Sequence, residues 1–239
     1  MRYALVIVAL WSLACMGGSE PAAPVEAGPG LMLRADLERG CYGQPGTEFT
    51  PDNYAEVEVF AERGEPAWDW TFPQVGGGEV HLADLLMDKP VVVFSGSYSC
   101  PVYRRNRKKI DALAQRMGSQ LHVVVVYGPE AHPETDNSPY RGDNWAKPDK
   151  FSHVDLAETN AQRMENAEKV GGRGPVIEVV EPVDNPFWCT YGTAPNAAYL
   201  IKQDGTFEAV HDWFDAPTMV SSIEAMLGEG EPRRGRRRR

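Results

Sequence analysis

Apolar positions along the middle of the chain alternate between two spacings. Residues 91–95 and 121–127 are near-continuous apolar runs rich in valine, the pattern of strands buried on both faces. Between them Ile110, Leu113 and Met117 recur at helical spacing, so the segment predicts strand, helix, strand. A polar loop over residues 128–152, rich in Pro, Asn and Asp, comes next. A helix is expected from about residue 154 to 170, ended by Gly171 and Gly172. Then follow a strand over 176–181, a loop, and strands over 198–202 and 207–211. Asp204-Gly205 between the last two is a strong hairpin turn signal. Met219, Val220, Ile223 and Met226 or Leu227 share one face of a closing helix over 216–227. Upstream, residues 70–73, three glycines at 76–78 and residues 80–82 predict a hairpin ahead of the first core strand.

A βαβ unit followed by a helix, a β-hairpin and a last helix is the element order of the thioredoxin fold. The expected class is therefore α/β, a central mixed sheet flanked by helices, with an N-terminal β-hairpin extension as in peroxiredoxin-like proteins. The 239 residues, 42% hydrophobic with 6 Trp, 9 Tyr and 8 Phe, suffice for one such core and exclude wholesale disorder. The net charge of −10 hides an asymmetry, because six arginines crowd into residues 233–239. The preceding 232 residues hold 18 basic against 34 acidic side chains, a body that repels phosphate backbones and excludes nucleic acid as its partner.

The ends read separately. Arg2 precedes an apolar run over residues 4–13, too short to span a bilayer and of the right length for a signal-peptide core. Residues 1–14 are read as that signal peptide. Ala14-Cys15 resembles a lipoprotein cleavage site, so Cys15 is expected to become a lipidated N-terminus that ties an exported, periplasmic or cell-envelope protein to the membrane. Residues 15–30, rich in Gly, Pro, Ala and Glu, form a tether, residues 31–63 an N-terminal extension, and residues 64–227 the folded domain. Residues 228–239 read as a solvated arginine-rich tail.

Cys100 stands immediately after the first core strand and before a helix that opens on Pro101, a residue suited to the first helical position. A thiolate is favoured at a helix N-terminus. Any of Arg104, Arg105, Arg107, Lys108 and Lys109 that point back would lower the thiol pKa further. The five histidines are scattered and no Cys-x-x-Cys occurs, so no metal and no bound cofactor is expected.

Gly96-Ser97-Tyr98-Ser99-Cys100-Pro101-Val102-Tyr103 resembles the Gly-Ser-Cys-Thr-selenocysteine-Pro-Pro-Phe motif of the iodothyronine deiodinases, with Cys100 at the selenocysteine position. Tyr127-Gly128-Pro129-Glu130-Ala131-His132-Pro133 is similar to that family's Tyr-Ile-Glu-Glu-Ala-His-Pro. His153 matches a second family histidine. Asn185, Tyr191-Gly192 and Tyr199-Leu200-Ile201 match the stretch before the last hairpin, so that the resemblance covers about residues 64–227. It implies that His132 faces the reactive sulfur, and that Ser97, Ser99, Tyr127, Glu130 and His153 form a proton-delivering network around it. Reductive dehalogenation needs those parts: a soft nucleophile for the halogen and a proton for the aryl carbon. Tyr98, beside the nucleophile, and Pro195, expected as a cis-proline next to the site, are read as substrate-binding.

The chain departs from the family pattern in three ways. Cysteine replaces selenocysteine, Tyr98 replaces a cysteine, and Asn196-Ala197-Ala198 stands where the family has a hormone-clamping arginine. These departures point to a halogenated aromatic without an amino-acid tail as the small-molecule substrate, and to an external thiol reductant or thioredoxin-like donor. Cys41 and Cys189 either pair as a structural disulfide or leave Cys189 to resolve an oxidised Cys100. Two further readings stand beside the deiodinase-like oxidoreductase: a peroxiredoxin-like thiol peroxidase, for which Ser97 fits the Thr/Ser-x-x-Cys pattern, and a non-catalytic thioredoxin-fold lipoprotein used as a binding scaffold. A homodimer is one assembly open to it.

Overall fold

The computed structural model describes residues 30–32, 50, 54–135, 137–140, 153–170 and 174–228. The signal peptide, Cys15, Cys41, most of the N-terminal extension and the arginine-rich tail lie outside the described residues. Among those described, no helix is long and apolar enough to cross a membrane.

The valine runs become the middle of a five-stranded sheet. In chain order the strands and helices are β1 (Thr71–Pro73), β2 (Glu79–His81), α1 (Leu82–Asp88), β3 (Val91–Gly96), α2 (Pro101–Met117), β4 (His122–Tyr127), α3 (Asn160–Val170), β5 (Ile177–Val180), α4 (Pro186–Tyr191), β6 (Ala198–Ile201), β7 (Phe207–His211) and α5 (Ala216–Met226). The sheet order is β5-β4-β3-β6-β7, with β3, β4 and β5 parallel and β6 antiparallel to both its neighbours. This arrangement, with β4, β3, β6 and β7 as its core and β5 added at one edge, is thioredoxin-like. The expected hairpin is present as β1 and β2, a separate antiparallel pair turned by Gly76, Gly77 and Gly78, all at positive φ.

The period-2 alternation within the strands assigns each residue to a face. Val92, Phe94, Val123, Val125, Ala198 and Leu200 pack against Ile110, Leu113 and Met117 of α2 and Met219 and Ile223 of α5. On the other face, Val91, Val93, Val124, Val126, Tyr199 and Ile201 meet Leu82 and Leu86 of α1, Trp70 and Phe72 of the hairpin, and Phe187 and Tyr191 of α4. Every residue of β3 is buried. At about 1.5–3 kcal/mol for each fully buried large apolar side chain, this central strand anchors both layers.

Three expectations need correction. The helix expected from about 154 begins at Asn160. Thr159 accepts the Gln162 N–H at 3.2 Å, while the Gln162 side chain accepts the Glu158 and Thr159 N–H groups at 2.9 and 3.1 Å, a reciprocal cap that sets the start. Leu82, expected at the end of a strand, opens α1 because Leu82, Ala83 and Leu86 then share a buried face. The loop after β5 holds α4, introduced by Asn185 in the left-handed region.

Candidate functional site

β3 and β4 end side by side, with Gly96 paired to Tyr127, and the Gly128 N–H donates to the Gly96 carbonyl at 3.0 Å just past the last pair. The two segments that leave these strand ends, 97–100 and 128–132, therefore start in contact. Cys100 is the N-cap of α2, where its Sγ accepts the Tyr103 N–H at 3.4 Å. Its own N–H donates to the Ser97 carbonyl at 3.2 Å, closing the turn.

Cys100 is a free thiol, 1% exposed. Its protonation departs from the sequence expectation, because burial pushes the thiol up. The amides of Tyr103 and Val102 and the charge of Arg104 pull it back only in part, and Glu130 adds to the rise. Of the five basic residues expected to lower it, Arg104 acts on the sulfur, and its guanidinium is also tied to the Tyr98 carbonyl. Arg107 turns instead to Glu178, Asp111 and the Tyr103 hydroxyl, Lys109 to Asn106, and Arg105 and Lys108 are exposed.

The polar residues predicted around the sulfur are brought together through Glu130. The Ser99 N–H donates to its Oε2 at 2.8 Å, and the Tyr127 hydroxyl donates to its Oε1. Tyr127 in turn accepts the Tyr98 N–H at 3.0 Å. Ser97 and Ser99 return the contact from the other side, their hydroxyls accepting the N–H groups of Ala131 at 3.4 Å and His132 at 3.0 Å. His132 is thus fixed by its backbone against the residue that precedes Cys100. Glu130 is 2% exposed, and burial pushes its carboxyl up against the pull of Ser99, Tyr127 and the nearby Arg163 charge. Tyr127 is pushed up as well, so the group as a whole holds protons.

Other predicted residues sit elsewhere. His153 lies before α3, its side chain 75% exposed and 3.9 Å from Glu134, so the structure puts it at the surface rather than in the buried network; the late start of α3 leaves it on the loop. Tyr98 is half-buried against the cluster of Tyr127, Ala167 and Val180, with the Arg104 guanidinium 5.8 Å from its ring centre. Pro195 lines a small cavity behind the turn, but its peptide bond is trans, as no described bond is cis. The Ser95 hydroxyl donates to the Ala194 carbonyl and accepts the Ala197 N–H, both at 2.8 Å, and so fixes this segment. Cys189 is disulfide-bonded, and Cys100 is not its partner. In this state Cys189 has no thiol to offer Cys100.

Sequence reasoning missed Arg163, Glu181, Tyr140 and Trp188. Arg163 and Glu181 are buried ionisable groups; Tyr140 donates to the Thr193 carbonyl at 2.5 Å, and the Trp188 indole reaches the same carbonyl at 3.0 Å. A signal existed for two of them. Arg163 shares a helix face with Ala167, and Glu181 ends an apolar run, each a charge where the pattern calls for an apolar residue. No group of three His, Cys, Asp or Glu among the described residues could hold a metal ion.

The family model described as iodothyronine deiodinase matches residues 52–208. No curated protein matches the chain. Among solved structures, the exposed lipoprotein thioredoxin Etrx1 of Streptococcus pneumoniae is 18% identical, with 68% of this chain and 99% of that one covered at a TM-score of 0.47. A DsbF homologue from Corynebacterium diphtheriae is 16% identical over 75% and 98% of the two chains, TM-score 0.45. A secreted disulfide oxidoreductase of Mycobacterium tuberculosis is 14% identical over 65% and 95%, TM-score 0.41.

Proposed function

Because the chain belongs to the iodothyronine deiodinase family, as the match over residues 52–208 shows, we propose that it is an exported, Cys100-dependent reductive dehalogenase of small halogenated aromatics. The observation that carries this reading is the Glu130 cluster. Glu130 bonds the residue before the nucleophile on one side and the Tyr127 hydroxyl on the other, next to a thiol that keeps its proton.

The proton that Cys100 keeps enters the balance of the overall step. Sulfur takes the halogen as the carbon–halogen bond breaks, the thiol proton ends on the aryl carbon, and the products are a sulfenyl halide on Cys100 and the dehalogenated ring. The aromatic gains two electrons and the sulfur loses them. One external thiol displaces halide to give a mixed disulfide, and a second releases Cys100 as the thiol and leaves as a disulfide. The chain's own contribution is to desolvate the sulfur, align it at the head of α2, and move the proton through Glu130, Tyr127 and His132. The peroxidase reading draws on Ser97, whose hydroxyl is engaged with the Ala131 N–H.

The test is iodide release from an iodinated phenol by the purified protein with a dithiol reductant, run beside peroxide consumption. Wild type should release iodide and Cys100→Ser should not. Peroxide turnover without iodide release would replace this reading with the peroxidase.

A further inference from the structure

A second buried carboxylate stands at the same strand ends. Glu181 follows β5 as Gly128 follows β4, and its N–H donates to the Tyr127 carbonyl at 3.2 Å. Its Oε2 accepts the N–H groups of Phe187 and Trp188 at 2.9 and 3.1 Å. Its Oε1, in a residue 1% exposed, takes no hydrogen bond from any described residue. Burying an acceptor without a partner is costly. The site is also cramped, since a Cβ on Gly128 would stand 2.6 Å from that oxygen. Glu181 lines a cavity of about 10 Å³ together with Gly96, Gly128, Tyr140 and Trp188, room for about one water molecule.

Charge adds a second argument. Glu130, Glu181 and Arg163 are all buried, at 2%, 1% and 3% exposure. Arg163 donates to the Pro182 carbonyl and Asn185 Oδ1, both at 2.7 Å, and its charge acts on both carboxyl groups. Two buried acids and the half-buried Asp184 around one guanidinium leave negative charge unbalanced in a region of low dielectric, and buried acids so placed keep a proton. The groups that face this pair are Arg163 from α3, Asp184 ahead of α4, Tyr127 from β4, Tyr140 from the loop beyond, and Cys100 at the head of α2. Tyr140 feels the charges of both Cys100 and Glu181, and Glu130 is the carboxyl that acts on the sulfur itself.

We propose that Glu181 is a second proton-holding group of the Cys100 site: its Oε1 binds one water in this cavity, and it competes with Glu130 for the one charge of Arg163. Burial pushes the Glu181 carboxyl up to about 7, against the pull of Arg163 and the Trp188 and Phe187 amides, so this proton exchanges near neutrality. Glu181 acts as a positioning residue: its protonation sets how fully the Arg163 charge is left to Glu130, and it exchanges its own proton with the cavity water, so that none is consumed. The role rests on Cys100 as the reacting thiol, whereas its test needs no turnover.

The experiment is an infrared difference titration of the protonated-carboxyl band between about pH 5 and 9 in wild type, Glu181→Gln and Glu130→Gln, with the alkylation rate of Cys100 followed over the same range. Wild type should lose a band near neutral pH. Glu181→Gln should lack that band and the matching inflection in alkylation. Glu130→Gln should keep it with its midpoint lowered by about one unit or more, since one competitor for the Arg163 charge is gone. A near-neutral band that survives Glu181→Gln, or a midpoint unmoved by Glu130→Gln, overturns the proposal. Should Glu181→Gln not fold, Gly128→Ala decides: its methyl crowds Oε1 and shuts out the water, so the midpoint must rise, and an unmoved one counts against it. Iodide release that persists in Cys100→Ser would instead strike the dehalogenase reading and leave the infrared result standing.

Discussion

Cys100 sits where a helix dipole and a neighbouring arginine favour the thiolate, and yet it is held as the thiol. Desolvation outweighs both, because the sulfur is shut away from water while Arg104 also serves the Tyr98 carbonyl. Alkylation of Cys100 by iodoacetamide should therefore be slow at neutral pH and climb past the ordinary cysteine range of about 8.5, and Arg104→Ala should move the climb higher still. A curve that levels off near neutrality would contradict this account. For Glu130 the sign also follows from burial. A carboxyl raised in the folded state favours folding below its unfolded value and loses that contribution as pH rises through the folded one. Glu130→Gln should thus flatten the fall in stability between acid and neutral pH, as urea titrations at each pH would show. His132→Ala should lower kcat about 10²-fold with little change in KM, read from iodide release.

Strands and long amphipathic helices were legible because their burial is periodic. Val91 to Gly96, the α2 stripe and the β6–β7 hairpin lie within a residue or two of where pattern alone puts them. The start of α3 was not, although Thr159 and Gln162 carry a capping signature, because Val154 and Leu156 extended the apolar pattern upstream. Thr159→Ala should cost about 0.5–2 kcal/mol in a denaturant titration and leave Cys100 alkylation unchanged. In α4, Phe187, Trp188, Cys189 and Tyr191 are all buried, so no polar face marks it as a helix. The candidate site divided in the same way. Cys100, Glu130 and Tyr127 were found because they sit at strand ends in a recognisable motif. The thiol's protonation, the exposure of His153, the trans bond at Pro195 and the Arg163–Glu181 pair depend on packing between segments far apart in sequence, which no local pattern records.

The whole sheet also bears on what the site accepts. Asn196, in the Asn196-Ala197-Ala198 stretch that stands where the family has its clamping arginine, is fully buried, its side chain accepting from Asn106 at 2.7 Å and its carbonyl from the Phe214 N–H at 2.9 Å. It faces the interior and offers nothing to a substrate carboxylate. A missing charge-assisted pair is worth about 1.5–3 kcal/mol, so kcat/KM for a bare iodophenol should fall within about tenfold of that for an iodinated phenol carrying an amino-acid tail. A preference for the tailed substrate above about a hundredfold would reveal another cation in its place. The in-register pairing of β3 with β4, which ends at Gly96 and Tyr127, has a further consequence for how the gene can vary. The ladder acts as a ruler: it aligns Ser99 with Glu130 by counting residues from the far end of the sheet, where the chain crosses from Met117 to His122. Length changes at that crossing are silent to the chemistry, whereas one residue gained or lost inside either strand throws the two halves of the site out of step.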